Sequence, residues 1–371
     1  MFYYNDSLIF VNAFFNLNFA LFKSSIVLHE IIIVFIKDSK DRKLMNKPVK
    51  LEDVAKKAGV SKTTVSRVLN KRGYLSGETI KKVQNAMKEL EYRPNVIARQ
   101  LFKQKTNLVG LVFPTVNNPF FGQLEAALDT ELYQAGYKVL MGNSQNNPQK
   151  EQEYMQLLLN HQIDGLIIGA HNDQDVQYKE KNLPIVSIER LVSSHIPMVG
   201  VNNYEGGRLA TERLVEIGCR HIIHTNYPPH EESTNGQRRR GYEDVMKEKG
   251  LPAITYAVDF DRPVEEKKKV FEQIFSEHPE VDGIFADNDT NAALIMQVAQ
   301  KYGRKIPEDL KIIGFDGADI TRVLFPELTT IQQPINLMAK VAVELLEQQI
   351  KGEVIEDSIQ LPVKLITGVT A

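Results

Sequence analysis

Two sets of polar residues in this chain could do chemistry, each of a different kind. Lys62, Thr63, Ser66 and Arg67 fall on one side of a short amphipathic repeat whose other side is Val65, Val68 and Leu69. Cationic and hydroxyl side chains on one helical face donate to phosphates and base edges, which is the chemistry of nucleic-acid reading. Further along, Asn117, Asn118, Glu189, Arg190, Asn288, Asp289 and Asp316 each follow a short apolar run. Polar residues at the carboxyl ends of strands are where an open α/β sheet meets its ligand. Neither set makes a catalytic constellation. The sequence holds no phosphate loop, glycine-rich dinucleotide turn or nucleophile elbow. Asp316 has no partner base, and His221 and His224 lack the further ligands of a zinc site. Cys219 is the only cysteine, which excludes an internal disulfide and fits a reducing compartment. No enzyme, cofactor or metal is expected.

The elements that must position these residues divide by charge. The 371 residues carry a net charge of −2 and suggest two or three domains. Residues 48–105 hold 14 Lys/Arg against 5 Asp/Glu, whereas 106–371 hold 25 against 38. A small basic reader in front of a large acidic body is the outline of a nucleic-acid-binding protein with a second function. In the basic part, Leu51, Val54, Ala55 and Ala58 form one helical face, Gly59 ends that helix, and Ser61 caps the next. A third helix starts near Ser76 and is expected to bury Ile80, Val83, Met87 and Leu90. In the acidic part, apolar runs at 108–113, 138–141, 165–168, 185–188, 221–224, 283–285 and 312–315 alternate with helical stretches such as 124–134, 150–160 and 292–302. Alternation of this kind predicts parallel sheets with helices on both faces, in two doubly wound halves with a cleft between them.

Residues 1–44 differ in composition, being rich in Phe, Ile, Asn and Tyr. The uncharged run 7–22 contains Asn12, Asn16 and Asn18, which fits a spanning helix poorly. The segment also lacks the positive start and cleavage site of a secretory signal. Met45 stands just before the basic module, so 1–44 is expected to be a non-native extension translated from a wrongly assigned start, or a disordered one. No membrane partner is expected.

The string Asp53-Val-Ala-Lys-Lys-Ala-Gly-Val-Ser-Lys-Thr-Thr-Val-Ser-Arg-Val-Leu-Asn70 resembles, without a gap, the helix-turn-helix signature of the LacI/GalR family of bacterial transcription regulators. The resemblance implies a DNA-binding domain over 45–92. Lys62, Thr63 and Arg67 would reach base edges, Arg67 with two hydrogen bonds to a guanine. Ser61, Ser66, Asn70, Tyr74, Ser76 and Thr79 would contact phosphates. The run Pro94-Asn-Val-Ile-Ala-Arg-Gln-Leu101 matches the family's hinge helix within a linker over 93–105. Asn95 caps that helix, Ala98 faces the partner helix, and Leu101 enters the minor groove. A helix this short is marginal alone and needs a partner.

The acidic part is similar to the family's periplasmic-binding-protein-like core over 106–371. Its N-subdomain is expected at about 106–203 and 334–355, and its C-subdomain at about 204–333 and 356–371. By this resemblance Phe120 and Phe121 line the cleft, Arg238 and Asp316 hold the ligand, Phe260 stacks on it, Asn288 and Asp289 form the pair after a central strand, and Gln333 lies at a cleft crossing. Glu189-Arg190 stands where the family has Asp-Arg, and Ile366-Thr-Gly-Val lacks an arginine common in the last strand. Asp289 has the competing role of helix cap. The stretches 106–121, 164–171 and 325–334 resemble the sucrose operon repressors of Gram-positive bacteria. The resemblance therefore implies a cytoplasmic homodimeric repressor of a pseudo-palindromic operator, with a sugar or sugar phosphate as effector. A regulator of another sugar operon is one alternative. Another is a catabolite-control regulator whose corepressor is a phosphorylated carrier protein. With no leucine-heptad tail after residue 366, a dimer is expected rather than a tetramer.

Overall fold

The computed structural model of the chain describes residues 49–70, 72–94, 105–145, 147–169, 182–227 and 234–371. The expectations for 1–44, and those for Asn95, Ala98 and Leu101, lie outside the described residues. The chain divides into two compact units between positions 99 and 100.

The first unit is three helices around a small core. Helix α1 (Leu51–Ala58) ends at Gly59, whose φ of 68° needs no Cβ. Ser61 caps α2 (Lys62–Leu69) by accepting from Thr64 N at 3.1 Å. Ser76 caps α3 (Gly77–Glu89) in the same way, from Thr79 N at 3.2 Å. Val54, Val65 and Val83, one from each helix, are fully buried, and Ala55 and Ala86 complete the core. Met87 and Leu90 pack against it. Ile80, expected in the core, is only half-buried, whereas Ala86, not expected there, is buried.

The second unit holds two six-stranded sheets. The first lobe runs β1 (Leu108–Phe113), α4 (Pro119–Gln134), β2 (Lys138–Asn143), α5 (Pro148–Leu159), β3 (Gly165–Ile168), β4 (Ile185–Ile188) and β5 (Met198–Val201). The chain then enters the second lobe with α6 (Asn203–Glu216), β6 (Ile222–Asn226), α7 (Thr234–Glu248), β7 (Ile254–Ala257), α8 (Val264–Glu277), β8 (Gly283–Phe285), α9 (Asp289–Lys301), β9 (Lys311–Asp316), α10 (Asp319–Leu324) and β10 (Thr329–Gln332). It returns with α11 (Ile335–Ile350) and β11 (Ile359–Leu361) and ends in the second sheet with β12 (Lys364–Ile366). The strand orders are β11-β5-β4-β3-β1-β2 and β12-β10-β9-β8-β6-β7. All pairs are parallel except β10 with β12.

Central strands such as β3 and β4 are buried throughout, because helices cover both faces. Helices α4, α5 and α9 begin earlier than their apolar periodicity suggests. Asn118, Asn147 and Asn288 cap them, and proline opens the first two, so the first turn carries a capping signal rather than an apolar one. Residues 356–361 do not all belong with the second lobe as expected. Ile359–Leu361 pairs with β5 in the first sheet, since the chain crosses only after this strand. Three crossings therefore join the lobes: β5 to α6, β10 to α11, and β11 to β12. Among the described residues no helix is long and apolar enough to cross a membrane.

Candidate functional site

In the first unit, Lys62, Thr63 and Arg67 are exposed on α2. The Lys62 ammonium lies 2.5 Å from Glu52 of α1, with both side chains more than half exposed. Such a pair contributes little in water and can be given up to a stronger anion. Arg67 lies over Gly73, its Nε and Nη2 reaching the carbonyls of Arg72 and Tyr74 at 3.4 Å each. Bonds that long are weak and leave the guanidinium available. Ser61, Ser76 and Thr79 sit at helix starts, and Asn70 donates to Ser66 O at 2.9 Å at the end of α2. Each of these phosphate candidates thus also holds a helix terminus. Tyr74 is 94% exposed, far more than a packed tyrosine.

The second unit has a cleft with an empty volume of about 420 Å³. Its lining comes from the carboxyl ends of the strands, as the sheet rule requires. Asn118, Phe120 and Phe121 open α4, Glu189 follows β4, Tyr227 follows β6, and Phe260 lies beyond β7. Asp287 and Asn288 follow β8, Asp316 ends β9, Gln333 follows β10, and Arg238 enters from α7.

Of the ten effector residues expected from the sequence, eight line this cavity; Arg190 and Asp289 do not. The chain turns at Glu189 (φ 52°), and Arg190 instead bonds Glu151 of α5 at 3.1 Å, supplying a counter-charge to a carboxylate with no side-chain exposure. Asp289 faces away from the cavity, beneath the β9–α10 turn. Its carboxylate accepts from Gly317 N at 2.8 Å, Thr321 Oγ1 at 3.0 Å and Thr330 Oγ1 at 2.5 Å. It caps nothing; Asn288 is the cap of α9. Asp289 holds the turn in which Asp316 adopts a φ of 105°, a conformation that costs energy unless its surroundings fix it. Asp287 and Tyr227 line the cavity without having been singled out. Asp287 directly precedes the Asn288-Asp289 pair, whereas Tyr227 lies three residues beyond the run at 221–224, so only Asp287 carried the strand-end signal.

Arg238 is 5% exposed and tightly placed. Its Nε and Nη2 donate to Asn203 Oδ1 at 3.1 and 2.8 Å, Nη1 donates to Asp287 O at 2.6 Å, and the guanidinium stacks 3.4 Å from the Phe315 ring centroid. It reaches this position because α6 and α7 approach to backbone contact: a Cβ on Gly207 would collide with the Arg238 carbonyl. Burial raises the Asp316 carboxyl well above the carboxylate range, opposed mainly by the Arg238 charge. Burial also raises Asp287, against hydrogen bonds from Asn291 and Thr225, and pushes Asp289 up to about 6. The Tyr227 hydroxyl is raised far above its usual range by burial and then by Asp287.

The lining is bonded directly to two of the crossings. Glu189 accepts from Val201 N at 2.6 Å and Asn203 Nδ2 at 2.8 Å, and Arg238 holds the same Asn203. Asp316 accepts from Gln333 Nε2 at 2.8 Å, at the second crossing. Across the cleft, Phe121 meets Phe260 edge-on at 5.9 Å. Gln123 of α4 and Asp319 of α10 exchange two hydrogen bonds, at 3.1 and 2.7 Å. Nothing in this arrangement pairs a nucleophile with a base. Among the described residues no group of His, Cys, Asp or Glu could hold a metal ion.

Comparison with known proteins agrees in both units. Residues 106–368 match the family described as "Periplasmic binding proteins and sugar binding domain of LacI family", and residues 50–95 match "Bacterial regulatory proteins, lacI family". The chain is 41% identical to the sucrose operon repressor of Pediococcus pentosaceus, over 87% of this chain and 99% of that one. It is 38% identical to the ribose operon repressor of Halalkalibacterium halodurans, over 86% and 96% respectively. Among solved structures, the lac repressor dimer bound to operator and the anti-inducer ONPF superposes with a TM-score of 0.76 at 28% identity, covering 87% of this chain and 99% of that one. A helix-turn-helix reader joined to a two-lobed ligand cleft, matched along nearly its whole described length, makes the chain a member of the LacI family: a ligand-responsive DNA-binding regulator and not an enzyme.

Proposed function

We propose that the chain is a cytoplasmic, homodimeric repressor of a sugar-utilisation operon, with a sucrose-type sugar as its effector. The observation that carries this reading is the wiring of the cleft. Glu189, Arg238 and Asp316 touch the cavity with one side and the crossings with the other. A ligand that draws on these three groups therefore pulls on the segments about which the lobes turn. Coupling follows if the two lobe arrangements differ in affinity for ligand and for operator. In this scheme the turn separates the hinge segments of the two protomers, withdraws each Leu101 from the minor groove, and weakens operator binding.

Dimer formation is supported by exposed apolar side chains on both lobes. Leu140 and Met141 lie on β2, the edge strand of the first sheet, and Ile320, Val323 and Leu324 lie on α10. Edge strands and apolar patches of this kind call for cover. The sucrose assignment is supported by the likeness to a sucrose operon repressor. Ribose stands second, because a ribose operon repressor is nearly as similar. The test is operator binding by the purified chain, titrated with sucrose, fructose, ribose and their phosphates. Release at a defined concentration of one sugar is expected. If none changes operator affinity, the sugar reading is wrong.

A further inference from the structure

We infer that this cleft takes a neutral, unphosphorylated polyol and rejects the phosphorylated form of the same sugar; this rests on the sugar reading above. Among the described residues the lining holds three carboxyl groups, Glu189, Asp287 and Asp316, against one cation, Arg238. That cation is largely committed. Three of its five N–H groups are already donated to Asn203 and Asp287. Lys267 does not line the cavity, and its ammonium donates to the Phe260 carbonyl at 2.8 Å.

Helix N-termini are the usual alternative to side-chain cations for holding a phosphate. Here the starts of α4 and α9 each carry a side-chain cap. Asn118 Oδ1 accepts from Phe120 N at 2.9 Å and Phe121 N at 3.2 Å, Pro119 has no N–H, and Gly122 N is bonded to Asn118 O. At α9, Asn288 takes Asn291 N at 2.8 Å, and carboxylates stand on either side of that cap in the sequence.

Among the described lining residues, the one buried polar atom without a partner is an acceptor. Gln333 Oε1 is buried in the cavity wall and has no hydrogen-bond partner among the described residues. Its side chain is fixed by Nε2, which donates to Asp316. A buried acceptor left unpartnered favours a ligand that brings a proton. A sugar hydroxyl does so; an ionised phosphate oxygen has none to give and would meet this lone acceptor oxygen instead.

Calorimetric titration of the full chain with sucrose, fructose and ribose, each paired with its phosphate monoester, tests this. The expected result is one neutral sugar that binds, with its phosphate at least about 100-fold weaker. A phosphate that binds as tightly as its parent, or more tightly, overturns the inference while leaving the sugar reading intact. Binding by no compound of either kind overturns both. The variant Asp287→Asn, checked for folding by circular dichroism, should narrow the ratio by about tenfold. An unchanged ratio in the folded variant overturns the electrostatic basis of the inference.

Discussion

Glu125 lies on the buried face of α4 at 1% exposure, and neither carboxylate oxygen has a hydrogen-bond partner among the described residues. Burial pushes its pKa from the ordinary 4.5 up to about 7. The folded chain therefore holds a proton that the unfolded chain has released. This contribution to stability is fully present below about 4.5 and is lost as pH rises through 7. Glu125→Gln should then be more stable than the parent at pH 8 by about 1–3 kcal/mol. The difference should shrink towards zero as pH falls towards 4.5, read from denaturant midpoints across the range. Asp289 makes the opposite case, because its carboxylate is fully used. Asp289→Ala orphans Gly317 N and two threonine hydroxyls, and should cost about 2–4 kcal/mol and at least tenfold in effector affinity. If stability falls and affinity holds, Asp289 does not position Asp316. Arg238 and Asp316 were legible in the sequence because their motif surroundings are specific. Arg190 was not. Its destination is set by the buried charge of Glu151, 39 residues away in sequence, and no local pattern carries that.

At the level of elements, α4 touches both the cleft and the other lobe. It lines the cleft with its first turn and faces α10 of the other lobe through the Gln123–Asp319 pair. Two hydrogen bonds at the surface contribute about 1 kcal/mol or somewhat more. Gln123→Ala should accordingly shift effector affinity by about 3–10-fold without contacting effector, measured by calorimetry. An unchanged affinity would mean that the pair is equally formed in both lobe arrangements. The central strands β1, β3, β4 and β8 were readable residue by residue, because double-sided burial leaves an apolar run, interrupted only by the buried Ser187 of β4. The strands β7, β11 and β12 were harder. None of their residues is fully buried, and their polar positions break the run. The starts of α4, α5 and α9 lay outside the helical stretches 124–134, 150–160 and 292–302, because their first turns carry an Asn cap rather than apolar spacing.

For the molecule as a whole, the split in charge and the split in structure coincide, so the two activities should separate by mutation. Arg67→Ala should abolish operator preference in a gel-shift assay and leave effector affinity unchanged; losing both would signal misfolding instead. Val323→Glu puts a charge on an apolar side chain that is 73% exposed. It should leave the fold intact, convert the protein to a monomer by light scattering, and lower operator affinity by at least about 100-fold, since one half-site then binds alone. The charge division and the alternation of runs and helices made both units legible. The exact exchange of segments between lobes was less so, because β11 is three residues long and its sheet is chosen by a long-range pairing.

The three crossings also decide how the core fails. A protease that cuts one of them releases nothing, since two covalent tethers keep each lobe within reach of the other and the nicked core can close again. Liberating a lobe takes three separate cuts. A gene fragment that stops between β5 and α6 encodes a first sheet without β11 and without the helix α11 that covers it. Neither lobe is one continuous stretch of chain, so no single cut in the sequence yields either of them whole.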